Sequence, residues 1–256
     1  GSLINIETGE PEDNTYVNVS YTQKNSNKNL TVDDIIDLLR RGKRVVLKGD
    51  FGLGKSRCVK QIFDKLTTDT MNDTYAIAIN LRDHWGAKRA SEIFSRHFCD
   101  LGLDEKNFLK TYEKSQNLYL LDGFDEIGTQ SWSSDIQKMQ HIREASMYGL
   151  KDLIRQVRGG VLITGREYYF NSDEELMNSL GLSVEQTVFL ECHQEFTDSE
   201  LLDFIQANIP EGINSEALGE LPPWLPKRPL VIQLLSKYAS DIFSIQNIFD
   251  DICSFW

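Results

Sequence analysis

The feature that most constrains this chain is the segment Gly49–Ser56, which reads GDFGLGKS and matches the pattern GxxxxGK[ST]. It follows a short β-branched apolar run, Val45–Leu47, and precedes a segment whose apolar residues recur at helical spacing. A strand, a glycine-rich turn and a helix in this order form a loop whose backbone N–H groups point at phosphate oxygens. The sequence therefore predicts a phosphate-binding loop.

Each fixed position of this loop has a chemical task. Glycine permits the tight backbone turn, and the helix that follows presents its positive N-terminal end to an anion. Lys55 supplies a point charge for the β- and γ-phosphates, and the Ser56 hydroxyl is a ligand for Mg²⁺. Arg57 either contacts a phosphate or lies on a solvated helix face. The residues predicted to bind nucleotide here are Gly49, Asp50, Phe51, Gly52, Leu53, Gly54, Lys55, Ser56 and Arg57.

A second apolar run, Leu118–Leu121, ends in a cluster of acidic residues. In proteins that bind a nucleoside triphosphate, an aspartate on a neighbouring strand holds Mg²⁺, and another group orients or deprotonates the attacking water. Asp122 is predicted to be the Mg²⁺ ligand together with Ser56. Asp125 and Glu126 are both placed for the second task, and the sequence does not decide between them.

The order of the apolar runs predicts the fold class. Further strands are expected at Tyr75–Ile79, Val161–Thr164 and Val188–Leu190, with a single helix over Met139–Val157. Strands that are apolar on both faces and alternate with helices indicate a parallel sheet covered on both sides. We therefore predict an α/β three-layer sandwich of the P-loop NTPase type, followed by a small all-helical domain.

The chain is expected to divide into three parts. Residues 1–30 are polar and form a lead segment with one strand-like alternation, at Tyr16–Tyr21, so that regular structure begins at Thr31, a helix cap. Residues 31–195 form the NTPase core. In the helical domain, residues 196–256, a capping box at Thr197–Glu200 starts one helix and Pro229 starts another. An apolar stripe up to Trp256 suggests that this domain is truncated.

Composition argues against other classes of protein. The formal net charge is −12, whereas gripping a nucleic-acid backbone requires clustered lysine and arginine. The four cysteines lack metal-ligand spacing and are expected to be reduced. No apolar run approaches the roughly 20 residues of a membrane span, and the N-terminus does not resemble a signal peptide. We expect a cytoplasmic domain that contacts neither membrane nor nucleic acid directly.

The segment Asp122–Glu126, DGFDE, resembles the signature of NACHT domains, which are P-loop ATPases of the STAND class. Asn80–Asp83 is similar to the LRD segment of that family, and Thr164–Arg166 to its sensor 1 segment, in which serine is more common at the position of Gly165. The resemblance implies that Arg166 reads the γ-phosphate. Arg228–Leu230 resembles the family's helix start, which implies that Pro229 packs near adenine.

The base is expected to be adenine, because the guanine-reading pattern NKxD has no match after the phosphate loop. The resemblance implies a regulatory switch found in innate immune receptors and bacterial anti-phage proteins. ADP would hold a closed form, ATP with Mg²⁺ would favour an open form that self-associates, and hydrolysis would reset it. Two alternatives stay open: a mechanical ATPase of the AAA+ kind, and a nucleotide-dependent scaffold without turnover.

Overall fold

The computed structural model describes residues 16–68, 74–102, 117–127, 134–208 and 225–237. Its strands are β1 (Tyr21–Gln23), β2 (Lys28–Leu30), β3 (Arg44–Lys48), β4 (Ala76–Asn80), β5 (Leu118–Asp122), β6 (Val161–Gly165) and β7 (Thr187–Cys192). The α-helices in these residues are α1 (Val32–Arg40), α2 (Lys55–Thr68), α3 (Ala90–Asp100), α4 (Ile136–Ser146), α5 (Tyr148–Gln156), α6 (Asp173–Leu180), α7 (Asp198–Asn208) and α8 (Pro229–Lys237).

The strands form one sheet in the order β2-β1-β7-β3-β6-β5-β4. Strands β3 to β7 run parallel, and the β1–β2 hairpin adds an antiparallel edge beside β7. One apolar cluster joins the sheet to α3, α5 and α6, and another joins its opposite face to α1 and α2. The predicted fold class is confirmed: this is a three-layer P-loop NTPase sandwich, and helices follow the sheet.

Parallel pairing brings the sequence-distant motifs to one edge of the sheet. Lys48, the last residue of β3, lies beside Gly165 of β6, and Asn80 of β4 lies beside Asp122 of β5. Ligands bind at the carboxyl edge in open α/β sheets. The loop after β3, the acidic segment after β5 and the arginine after β6 therefore share that edge.

The expectation that regular structure begins at Thr31 was wrong. Tyr21–Gln23 and Lys28–Leu30 form strands within the expected lead segment, and Tyr21 pairs with Cys192. Strands of three residues, one of them Lys-Asn-Leu, are too short to show a period of two. The domain boundaries themselves stay a prediction, although Val17 from this segment packs with the helices after Phe196.

The single helix expected over Met139–Val157 was also wrong, because α4 ends at Ser146 and α5 begins at Tyr148. Leu150 and Ile154 of α5 are buried, whereas Ile142 of α4 is half-buried and Ala145 is exposed. The break lies at Met147, whose backbone oxygen still accepts from Lys151 N at 2.7 Å. Helix-like backbone bonding thus continues through Met147. Apolar spacing therefore stays close to helical across the break and does not reveal it.

The two helices that the structure describes after the sheet begin where their sequence signals predicted. Thr197 and Glu200 form the capping box, with Thr197 N donating to Glu200 Oε2 at 2.8 Å. Pro229 is the first residue of α8. Residues 245–256, the predicted apolar stripe, lie outside the described part of the chain. Among the described helices, none combines the length and apolar character that spanning a membrane would require.

Candidate nucleotide-binding site

The phosphate loop connects β3 to α2, which begins at Lys55. The ammonium group of Lys55 donates to two carbonyl oxygens of its own loop, Gly49 O at 2.7 Å and Asp50 O at 2.8 Å. These contacts hold the positive charge against the turn and beside the N-terminal end of α2. The loop therefore concentrates positive potential where an anion would bind.

Gly52 is needed in this loop for two reasons. Its φ of +80° is in the left-handed region, and a Cβ there would lie 3.0 Å from Leu230 Cβ. Leu230 also donates its backbone N–H to Gly52 O at 3.2 Å. The first turn of α8 thus rests directly on the phosphate loop, so the helices after the sheet form one wall of the site.

Asp122 is oriented by a buried hydroxyl from the neighbouring strand. Thr164 Oγ1 donates to Asp122 Oδ1 at 2.5 Å and accepts from Gly123 N at 3.0 Å. Thr164 is fully buried, so this contact is shielded from competing water. The sequence placed Thr164 in a predicted strand and in the sensor-like segment, but its bond to the predicted metal ligand was missed.

Asp125 and Arg166 form an ion pair across the end of the sheet. Arg166 Nε lies 2.9 Å from Asp125 Oδ2, and Arg166 N donates to Asp125 Oδ1 at 3.1 Å. The guanidinium carbon lies 5.9 Å from the centre of the Phe51 ring, within cation–π range. This arrangement joins the acidic segment, the arginine and the phosphate loop.

The glycine at position 165, where the resembled family more often has serine, has a packing explanation. A Cβ at Gly165 would lie 2.3 Å from Phe124 Cε1, far inside van der Waals contact. Phe124 is fully buried and occupies the space that a side chain there would need. The backbone of Arg166 is held instead by Asp125, so the departure at Gly165 leaves Arg166 fixed.

A cavity of about 360 Å³ joins most of the predicted site residues. Those that line it are Phe51, Gly52, Leu53, Gly54, Lys55, Ser56, Arg57, Asp122, Asp125, Glu126, Arg166 and Pro229. Gly49 is instead packed against Cys192, and Asp50 faces an adjoining groove that Phe51 and Arg166 also line. The structure thus brings the predicted residues together, and their roles stay predictions.

The rest of the cavity wall was not predicted. Asn80 and Arg82 border the cavity beside Asp122. Most of the remaining wall comes from the N-terminal segment and from residues after β7, namely Tyr16, Val17, Val19, Tyr21, Phe196, Phe204, Leu230 and Gln233. The Tyr16 and Tyr21 hydroxyls lie 3.4 Å apart. Burial raises the pKa of both, so they stay protonated at neutral pH. The alternation at Tyr16–Tyr21 was the one sequence signal for this wall.

Comparisons with known proteins find likeness at the level of the fold. No protein-family model and no curated protein matches the chain. A solved DNA replication initiation factor is similar, with a TM-score of 0.48 and 13% identity over 83% of this chain and 60% of that one. Cdc6p from Pyrobaculum aerophilum is also similar, with a TM-score of 0.44, 15% identity and the same coverage. The chain thus spans 60% of the length of either structure.

Proposed function

We propose that this chain binds ATP with Mg²⁺, hydrolyses it, and acts as a nucleotide-controlled switch. The observation that carries the proposal is the single cavity in which the phosphate loop, Asp122, two further acids and Arg166 meet an apolar wall. A triphosphate requires the loop and the charged residues of this cavity, and a purine base fits its apolar wall. This composite character is what an ordinary glycine-rich turn would lack.

The residues of the cavity fit both the nucleotide and the metal. Mg²⁺ prefers oxygen ligands, one or two of them from the protein, and Ser56 and Asp122 line the same cavity. We assign Ser56 and Asp122 to Mg²⁺, Lys55 and the loop amides to phosphate, and Pro229 with the aromatic wall to adenine. Thr164 donates to Asp122 Oδ1 and thereby orients the carboxylate that we assign to the metal.

The chain's own residues then supply the chemistry. Bound Mg²⁺ would neutralise charge that develops on the phosphates. Lys55 exchanges its contacts with the Gly49 and Asp50 carbonyls for phosphate oxygens. A carboxylate after Asp122 takes the proton from the attacking water, and Arg166 stabilises the γ-phosphate. Such fixed charges reduce the reorganisation that water would need to undergo during the reaction.

The switch is proposed from the contact between α8 and the phosphate loop. Leu230 N donates to Gly52 O, so a change in the conformation of the loop on nucleotide binding would also shift the position of α8. A ligand shifts such an equilibrium only if it binds the two states with different affinity. The DGFDE and Thr-Gly-Arg patterns support a switch of the NACHT kind, with self-association of the ATP form and a role in immune or anti-phage signalling.

The first test is to denature the purified protein, chromatograph released nucleotide, and then titrate the protein with Mg-ATP and Mg-ADP. Lys55→Ala should abolish both bound nucleotide and titration, because it removes the loop's charge. Lys138→Ala is the matched control, since Lys138 is exposed on α4 and should leave binding unchanged. Failure of the wild-type protein to bind either nucleotide would overturn the proposal.

Turnover separates this proposal from its alternatives. A switch retains ADP after hydrolysis, so slow turnover limited by product release is expected. Rapid steady turnover would instead support a mechanical ATPase of the AAA+ kind. Binding without any hydrolysis in a single-turnover assay, unchanged by Glu126→Gln, would support a scaffold.

A further inference from the structure

The two acids that follow Gly123 have different surroundings. The side chain of Asp125 is only 8% exposed, and both of its oxygens contact Arg166. One oxygen accepts from the backbone N–H, and the other lies 2.9 Å from the side-chain Nε in an ion pair. Asp125 therefore holds the main chain and the guanidinium of Arg166 at the same time, and both of its oxygens are already engaged with Arg166, which leaves Asp125 less available to a water molecule than Glu126.

Glu126 is exposed to the cavity. Its Cγ and Cδ pass over Gly123, where they lie 3.4 Å from the position that a Cβ would occupy. Gly123 directly follows Asp122, so the carboxylate of Glu126 is carried towards the predicted metal ligand. Within the described part of the chain, this carboxylate has no hydrogen bond or ion pair, and its lone pairs are available to a water molecule.

The ion pair also sets which donors Arg166 offers. Its contact with Asp125 is made through Nε, 2.9 Å from Oδ2, and its side chain is 55% exposed. The guanidinium is held between Asp125 and the ring of Phe51 in the phosphate loop. An arginine held by Nε can present its terminal donors to two oxygens of a phosphate.

We propose that Asp125 is a positioning residue that aims Arg166 at the γ-phosphate, and that Glu126 is the base that takes the proton from the attacking water. This assignment rests on the proposed function and deepens it. In the proton step, the water oxygen attacks phosphorus as its proton passes to Glu126, and the ADP oxygen leaves with the electron pair of the broken bond. Asp125 exchanges no proton in this step.

The two roles predict different phenotypes for isosteric amide variants. Asp125→Asn removes the charge that aims Arg166, so it should weaken binding of a non-hydrolysable ATP analogue about tenfold while ADP binding is kept. Arg166→Ala should have the same effect, and the double variant should be no worse than Arg166→Ala. Glu126→Gln should preserve the affinity ratio of the two nucleotides and slow single-turnover hydrolysis by about 100-fold or more.

Binding of the ATP analogue and ADP, and single-turnover hydrolysis, are measured for these four variants and the wild type. A loss confined to hydrolysis in Asp125→Asn, with the affinity ratio kept, would overturn the positioning role. Hydrolysis retained in Glu126→Gln, or absent from a wild type that binds ATP, would overturn the role of Glu126.

The melting temperatures of the same variants are also measured without nucleotide, so that a failure of this inference can be distinguished from a failure of the proposed function. A wild type that binds no nucleotide would end the proposed function. Shifts in melting temperature for Asp125→Asn and Arg166→Ala that fail to add in the double variant would still establish the pairing. Fully additive shifts would overturn it.

Discussion

The hydroxyl of Thr164, on β6, contacts the predicted metal ligand Asp122 at the end of β5. The backbone oxygen of Thr164 also accepts from Gly123 N, at 3.1 Å, so the turn after β5 keeps a partner when the hydroxyl is removed. The contact that depends on the hydroxyl is the one with Asp122 Oδ1. Its task is therefore to orient the carboxylate.

Thr164→Val should weaken Mg²⁺ binding about tenfold, because loss of a group that orients a metal ligand typically has that effect. The measurement is the Mg²⁺ dependence of ATP-analogue binding, with Thr164→Ser as the control that retains the hydroxyl. Equal Mg²⁺ dependence in the valine and serine variants would show that the contact with Asp122 does not matter for the metal.

Gly165→Ser restores the residue more common in the resembled family and should destabilise the fold. The new Cβ would meet the buried ring of Phe124, and overpacking of a core typically costs about 1–3 kcal/mol. Urea denaturation measures the change in free energy of unfolding. Phe124→Leu combined with Gly165→Ser should cost less than the two single changes added together, since the smaller side chain makes room. Simple additivity would refute the steric explanation.

At this scale, the sequence predicted which residues meet but not how they divide their tasks. Lys55, Ser56 and Asp122 follow from local patterns whose chemistry is known. Asp125 and Glu126 are equivalent in the sequence, because the contact that distinguishes them is with Arg166, 41 positions away. Only the parallel pairing of β5 with β6 brings these residues together.

At the scale of the elements, the position of helix α8 depends directly on the phosphate loop. Its second residue, Leu230, bonds to Gly52 and packs where a side chain at position 52 would lie. We expect Gly52→Ala to cost more than the about 1–2 kcal/mol that an L residue pays in the left-handed region, because the added methyl group also meets Leu230.

Gly42→Ala is the matched control for this variant, since Gly42 has a φ of +75° and no atom within 4 Å of the position of a Cβ. The difference between the two variants in free energy of unfolding measures the extra cost that contact with α8 adds at position 52. Leu230→Ala in combination with Gly52→Ala should reduce that extra cost without abolishing it, because alanine lacks the Cγ and Cδ2 atoms but keeps the Cβ that lies nearest. An identical cost at positions 42 and 52 would mean that α8 does not press on the loop.

Elements were predictable where their signals are local. The caps at Thr31 and Thr197 and the proline at the start of α8 were identified from a few residues each, and β3, β5 and β6 from their apolar runs. The β1–β2 hairpin was not, because a polar three-residue strand is stabilised by its neighbour β7 rather than by its own composition. The wall of the cavity was missed for the same reason, since Tyr16 and Phe204 meet only in three dimensions.

On the scale of the whole molecule, Asp173 joins three distant segments. It lies in the first turn of α6 and accepts from Lys48 at 2.8 Å and from Lys24 at 2.6 Å. Lys48 ends β3 directly before the phosphate loop, and its side chain is 5% exposed. A buried ammonium group needs a partner, so Asp173 stabilises the strand that carries the loop.

Asp173→Asn should destabilise the protein at pH 7 by about 1–3 kcal/mol, because it leaves the buried Lys48 without a charged partner. Burial raises the pKa of Asp173, but the bonds from Lys24 and Lys48 outweigh it and hold the pKa below its ordinary value. A lowered folded-state pKa adds stability above about pH 4, the unfolded value, and that stability is lost as the pH falls through the folded value.

Urea denaturation of the wild type and Asp173→Asn between pH 7 and pH 3 tests this directly. The difference in free energy of unfolding should shrink as the pH falls, because protonation gives the wild type the same neutral side chain. Lys48→Met combined with Asp173→Asn is the control, since an apolar residue in place of the ammonium group removes the need for a partner. A difference that stays constant down to pH 3 would mean that Asp173 acts by packing and not by charge, and the link between α6 and the phosphate-loop strand would not be electrostatic.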